Sequence, residues 1–380
     1  MTLERLRTVV VGAGAAGLTA AYALHTAGAH VLCLEARNRI GGRLLSTSED
    51  TGSLDLGATW FWDEEPRVAA LTAHTNIATF AQHTEGSALL HDTSGVHRFP
   101  GNPIDVHAYR YVTGADTVAA RLAAVLPPDG LRLDAPVTAI REARDHLRVH
   151  TRDMTFRADH VVLAVPPALA IAGIDFDDAL PTGLAAVAAR TPVWMGAVRK
   201  VVARYTEPFW RYDDLAGSAV SRIGPLQEIH DMSGPNGNPP ALFGFAASTT
   251  VHAGFREAVV DQLADLFGPA ARHPQQLLVM DWSREAWTSP SDVHRLSDYS
   301  LFGHPAYQRP TLGGRLHWAS TETATDHAGH VEGALQAGQR AAHDILQTDS
   351  HHLIHSASSR HPGQPEGPPS LTKESCDRRT

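Results

Sequence analysis

One stretch, residues 8–43, constrains the fold more than any other. Thr8-Val9-Val10-Val11 is a short β-branched apolar run, the pattern of a parallel strand buried on both faces. Gly12, Gly14 and Gly17 follow at G-x-G-x-x-G spacing. Residues 15–28 read as a helix that is apolar almost all round and closed by Gly28. Residues 30–34 read as a second strand, which ends on Glu35-Ala36-Arg37. Together they form the βαβ unit of an α/β, Rossmann-like dinucleotide-binding domain.

The glycines have separate tasks in such a unit. Gly12 lets the chain turn off the strand, Gly14 leaves room for a pyrophosphate, and Gly17 lets helix and strand approach closely. The first helical N–H groups, at Ala15 and Ala16, present partial positive charge to phosphate. Glu35, 18 residues after Gly17, is placed to accept hydrogen bonds from ribose hydroxyls. At this point NAD and FAD fit equally well.

Composition narrows the class. The chain has 380 residues, 43% apolar and 19% charged, with a formal net charge of -9. That balance, without a long basic run, excludes a nucleic-acid surface. The 23 histidines are scattered, with no paired ligand spacing, so no metal site is expected. Cys33 falls on the second strand and Cys376 in a polar tail, which excludes a disulfide framework. No apolar run reaches the ~18 residues of a membrane helix. No secretory leader is evident at the start, and the cytoplasm is the expected address.

Further along, residues 53–58 read as extended and residues 64–82 as helical. Residues 91–111 read as loop, because Pro100, Gly101 and Pro103 cluster there. Strands are expected at 134–140, at 147–157 as a hairpin, and at 158–165. A mixed sheet is expected between 197 and 282, a last strand at 315–319 and a last helix at 329–345. The expected division is a discontinuous dinucleotide-binding domain (1–62, 109–169, 305–347), a substrate domain (63–108, 170–304) and a disordered tail (348–380). Lys200 is a rare lysine inside an apolar β run, and a lysine facing a core is costly unless paired or wet.

Five motifs resemble the flavin-containing amine oxidase superfamily. They are Arg39-Ile40-Gly41-Gly42-Arg43, Leu56-Gly57-Ala58-Thr59-Trp60, Ala135 to Ile140 with Ala158 to Pro167, Arg199-Lys200-Val201 with Glu207-Pro208-Phe209-Trp210, and Thr321-Glu322-Thr323-Ala324-Thr325 with Gly329-His330-Val331-Glu332-Gly333-Ala334. The resemblance implies that Gly42 and Arg43 pass along FAD, that Gly57, Ala58, Thr59 and Trp60 lie beside the isoalloxazine ring, and that the Val137 backbone meets adenine. It further implies that Lys200 reaches flavin N5 through water, and that Glu322 and Val331 belong to the C-terminal flavin segment. The expected reaction removes hydride from a primary or secondary amine, with O2 as acceptor. With no cysteine between Cys33 and Cys376, FAD is expected to be non-covalent.

The chain departs from that pattern in two places. Monoamine oxidases carry two cage tyrosines. One of these positions is His330 here; for the other, residues 282–292 hold no tyrosine, and Trp287 is the nearest aromatic. The segment between Trp60 and Gly114 also lacks the long helical insertion of the superfamily, which implies a shallow pocket or one covered by a second subunit, as in a homodimer. Lys200, His330 and Trp287 are therefore the candidate catalytic residues. A desaturase or protoporphyrinogen-oxidase-like dehydrogenase of a biosynthetic intermediate, or a catalytically weak flavoprotein, remains the alternative.

Overall fold

The computed structural model describes residues 7–49, 52–250, 253–291 and 298–358. Two sheets organise the chain. The first is five-stranded and parallel, in the order Leu316–Trp318, His160–Leu163, Arg7–Val11, His30–Leu34, Leu131–Arg132. Its strands are short and buried, as their unbroken apolar runs require. The helix Ala15–Thr26 packs on it, and the C-terminal helix Val331–Ser358 packs on that helix in turn. Gly338 makes this contact close: a Cβ there would lie 2.3 Å from the Ala16 carbonyl oxygen.

The second sheet is seven-stranded and mixed, in the order Gln276–Asp281, Val198–Arg204, Ala241–Ala247, Glu228–Asp231, Leu215–Ser221, Ser87–Asp92, Gly95–Phe99. Only the Leu215–Ser221 and Ser87–Asp92 pair is parallel. A three-stranded antiparallel sheet (Val137–Glu142, Leu147–Thr151, Thr155–Ala158) forms the crossover between strands of the first sheet.

Four local expectations need correction. The helix expected over 64–82 is confined to Pro66–His74. Asn76 takes a left-handed φ of 52°, which ends the helix, and Thr79–Ala81 pairs instead with Tyr109–Tyr111. Residues 91–111 are not a loop throughout: Gly95, at φ 121°, turns the hairpin that joins Ser87–Asp92 to Gly95–Phe99. The proline cluster that suggested a loop lies just beyond it. The last helix does not stop near Ile345, and residues 348–358 are helical rather than disordered, because neither proline nor glycine interrupts the chain before Pro362. The rest of that tail lies outside the described residues. Finally, the helices Pro167–Gly173 and Thr182–Arg190 bury Ala170, Leu184 and Ala188 against Val9, Val161 and Leu163 of the parallel sheet, not against the second sheet.

Candidate active site

A cavity of about 640 Å³ lies where the carboxyl ends of the parallel strands face the second sheet. Ligands of doubly wound folds bind at that edge. Every site residue expected from sequence lines it except Gly17 and Glu322.

At one end the wall is largely backbone. Gly12 turns the chain at φ 99°. Gly17 sits where a Cβ would approach the Gly12 carbonyl oxygen to 1.9 Å, so its role is packing. Gly14 differs, because the nearest atom to a Cβ there is 3.8 Å away. Within the helix the first backbone N–H bonded to a carbonyl is that of Leu18, to Gly14, at 2.9 Å, which leaves the preceding N–H groups for an anion. The Glu35 carboxylate accepts from the Ala13 N–H at 2.8 Å and the Arg37 N–H at 2.9 Å. Arg37 in turn donates to Thr288 Oγ1 at 2.6 Å and lies 3.5 Å from Glu285, which ties a distant loop to this end.

Midway, Arg43 and Glu322 form a bidentate pair, with Nη1 and Nη2 donating to Oε1 and Oε2 at 2.6 and 3.1 Å. Glu322 is fully buried, and its oxygen also accepts the Trp194 N–H at 3.2 Å. Burial opposes the carboxylate, but Arg43 outweighs it and holds the pKa down. Glu322 thus acts from behind the wall, fixing Arg43 and the Trp194 backbone.

Lys200 lies on the strand Val198–Arg204 and is buried. Its Nζ donates to the Gly57 carbonyl at 2.9 Å and to Thr59 Oγ1, and sits 4.4 Å from the centre of the Phe243 ring. Desolvation lowers its pKa to about 7, and nearby Arg110 adds to that, against the opposing charge of Asp55. Trp282 Nε1 donates to the Leu56 carbonyl and Trp60 Nε1 to Gln82, so the 56–60 segment is held from three sides.

The far end is aromatic. His330 Nδ1 lies 2.6 Å from Glu65 Oε1, and Glu65 is buried. The His330 ring lies 5.0 Å from Trp62 and 6.1 Å from Trp194. Trp194 rests on Gly329, where a Cβ would meet its ring at 2.5 Å, and the Tyr299 ring lies 5.7 Å from that of Trp194. Tyr299 lines the cavity, so this end does have a tyrosine, seven residues beyond the 282–292 stretch. Trp287 is 44% exposed and stands on the loop tied to Arg37. The rings next to His330 are Trp62, Trp194 and His327 instead. Sequence reading missed Trp194 and Tyr299. Only the Gly329 turn, which has to leave space for a large ring, hinted at the first.

A glycine turn with free helix N–H groups, an acid at the tip of the second strand and a buried lysine beside a glycine carbonyl are what a flavin-binding oxidoreductase would place around one cavity. Comparison with known proteins agrees. Residues 10–75 match the NAD(P)-binding Rossmann-like domain, and residues 92–346 match the flavin containing amine oxidoreductase family. The chain belongs to that family and is an FAD-dependent oxidoreductase. It is 25% identical to putrescine oxidase of Kocuria rosea over 459 positions, covering 90% of this chain and 95% of that protein. It is also 25% identical to bovine amine oxidase [flavin-containing] B over 450 positions, covering 89% and 85%. Both alignments are longer than this chain of 380 residues, so the relatives hold segments it lacks. Cyclohexylamine oxidase from Brevibacterium oxydans shares the fold, with a TM-score of 0.81 at 22% identity, covering 91% of this chain and all of that one. The cofactor is FAD, held without a covalent link: among the described residues the one cysteine, Cys33, is buried and directs its thiol to the Gly12 carbonyl. Among those residues no helix is long and apolar enough to cross a membrane, and no three ligating side chains converge for a metal.

Proposed function

We propose that the chain oxidises a primary or secondary amine with O2, releasing an imine that hydrolyses, together with H2O2. When bound, FAD supplies the acceptor for the hydride of the amine α-carbon and the donor that reduces O2. The chain supplies the rest. An amine reaches the cavity mostly as ammonium, and hydride loss requires the neutral form. Glu65 accepts a hydrogen bond from His330 Nδ1, which leaves Nε2 of the neutral ring as the acceptor for the ammonium proton. Trp62, Trp194 and Tyr299 offer ring faces to the cation before that transfer. Lys200 keeps a proton donor at the Gly57–Thr59 segment, where O2 reduction needs one.

The observation that carries this reading is the pairing of His330, which lines the same cavity as Lys200, with the buried carboxylate of Glu65. The alternative, dehydrogenation of a C–C or ring C–N bond, drew on the missing tyrosine cage; Tyr299 on the cavity wall supports the amine reading. We also propose the two-domain division drawn from sequence, with residues 170–190 reassigned to the FAD-binding part. The test of function is anaerobic: the ~450 nm flavin band of the holoprotein should bleach on mixing with primary or secondary amines. A flavin-loaded protein that no amine bleaches rules the reading out.

A further inference from the structure

Lys200, Phe245 and Glu228 stand in one row across the seven-stranded sheet. Lys200 pairs with Phe245, and Phe245 pairs with Glu228 on the next strand. Residues paired in this way project from the same face. All three line the cavity. Two strand spacings put the Lys200 and Glu228 backbones about 10 Å apart. A carboxylate therefore faces the same space as the lysine, with a phenyl ring between them.

Glu228 differs from the other acid on the cavity wall. Glu35 is engaged by two backbone N–H groups and by Arg37. No Lys or Arg forms an ion pair with Glu228 among the described residues, and the nearest cationic group is His230 Nε2 at 3.9 Å. His230 is buried, with Nδ1 bonded to Asp105 Oδ1 at 2.6 Å and Nε2 left without a hydrogen-bond partner. Its ring is wedged between Trp60 and Phe243, with centroids 5.0 and 5.3 Å away, so it cannot swing off. Burial works against the charged imidazole, yet the interactions with Asp105 and Glu228 prevail and the pKa is raised. With two carboxylates around one imidazole, this cluster presents a negative charge to the cavity through Glu228 whichever way the imidazole is protonated. An ammonium group would neutralise it.

We propose that Glu228 is a specificity-determining residue that binds a second cationic group of the substrate, so that the preferred amine is an α,ω-diamine or polyamine. One ammonium meets His330 and is oxidised, the methylene chain crosses Phe245, and the other ammonium pairs with Glu228. This rests on the amine reading of the His330 and Lys200 site.

The experiment measures anaerobic flavin reduction in the FAD holoenzyme. Substrates are 1,4-diaminobutane, its mono-N-acetyl derivative, and n-alkylmonoamines of matched length. A charge-assisted pair of this kind should favour the free diamine over both controls by about 10- to 100-fold in kred/Kd. Glu228→Gln should erase that preference and leave monoamine reduction within about twofold of wild type, a level set by ordinary surface substitutions. The acetylated probe tests charge against shape on the unaltered protein, so the result does not depend on how the variant folds. Monoamines as good as the diamine, or a Glu228→Gln variant that keeps the preference, overturns the anchor alone. A flavin that no amine reduces overturns the amine reading and the anchor with it.

Discussion

The two ends of the cavity are built by different means. The nucleotide end is mostly backbone, supplied by Gly12, Gly14, the start of the helix Ala15–Thr26 and the Glu35 tip, all from one continuous stretch. The substrate end is mostly side chains: Trp62, Trp194, Lys200, Tyr299 and His330 come from four separate segments and meet only in the folded chain. A backbone site needs particular residues chiefly where a side chain would intrude. A side-chain site needs particular residues and a fold accurate enough to bring them together. The first should therefore fail through steric intrusion, and the second through lost chemistry on an intact fold.

The largest effect should come from Gly17→Val. Its side chain would collide with the Gly12 backbone, which cannot yield without opening the strand–helix turn. No folded, soluble protein is expected, as judged by circular dichroism and gel filtration. Gly14→Ala is the contrasting case. Its φ of -79° suits alanine, and the added methyl meets no protein atom closer than 3.8 Å. The apoprotein should fold normally while FAD binds roughly tenfold or more weakly, because the methyl occupies cofactor space. Equal loss of folding in both variants would erase the distinction between a packing glycine and a cofactor glycine.

Lys200→Met tests the substrate end. Reoxidation of the reduced flavin by O2 should slow by about 100-fold or more, the scale seen when a positioned donor is removed from an active site. Folding should respond in the opposite sense. With a folded pKa of about 7 against the ordinary lysine value of 10.5, native Lys200 binds fewer protons than the unfolded chain between those values. Its contribution to stability therefore rises with pH across that window and is least favourable below about 7. The variant apoprotein should match or exceed wild-type Tm at pH 6.5, and this advantage should shrink toward pH 10. A variant that is less stable at pH 6.5 would show Lys200 to be a structural tie rather than a strained functional group.

The same contrast decides what could be read from sequence. In residues 8–43 the period, the glycine spacing and the terminal acid are all local, and the strand, helix and strand fall where expected. Lys200 stood out because charge inside an apolar β run is rare at any position. Tyr299 and Trp194 gave no such signal: each lies in a stretch without periodicity, and only tertiary packing brings them to His330. Trp287 was selected by proximity in sequence, yet its loop is anchored by Arg37 more than 240 residues earlier, at 2.6 Å through Thr288. The helix assigned to residues 64–82 failed for the opposite reason, since the residue pattern ran on past Asn76 while the backbone turned there.

The most discriminating effect is one that should fade with pH. His330→Phe keeps a ring against Trp62 and Trp194 but removes the acceptor that Glu65 orients. If the ring is only wall, kcat/KM should change little and by the same factor at every pH. If Nε2 takes the proton of the incoming ammonium, kcat/KM should fall by about 100-fold near pH 7. The defect should then fade as pH approaches ~10, where alkylamines, like free lysine, begin to arrive already neutral. Glu65→Gln should show the same pH-dependent defect in weaker form, because the imidazole remains but loses the carboxylate that fixes its tautomer. A pH-independent loss in both variants would leave the aromatic end as a shape filter and move the proton transfer to solvent.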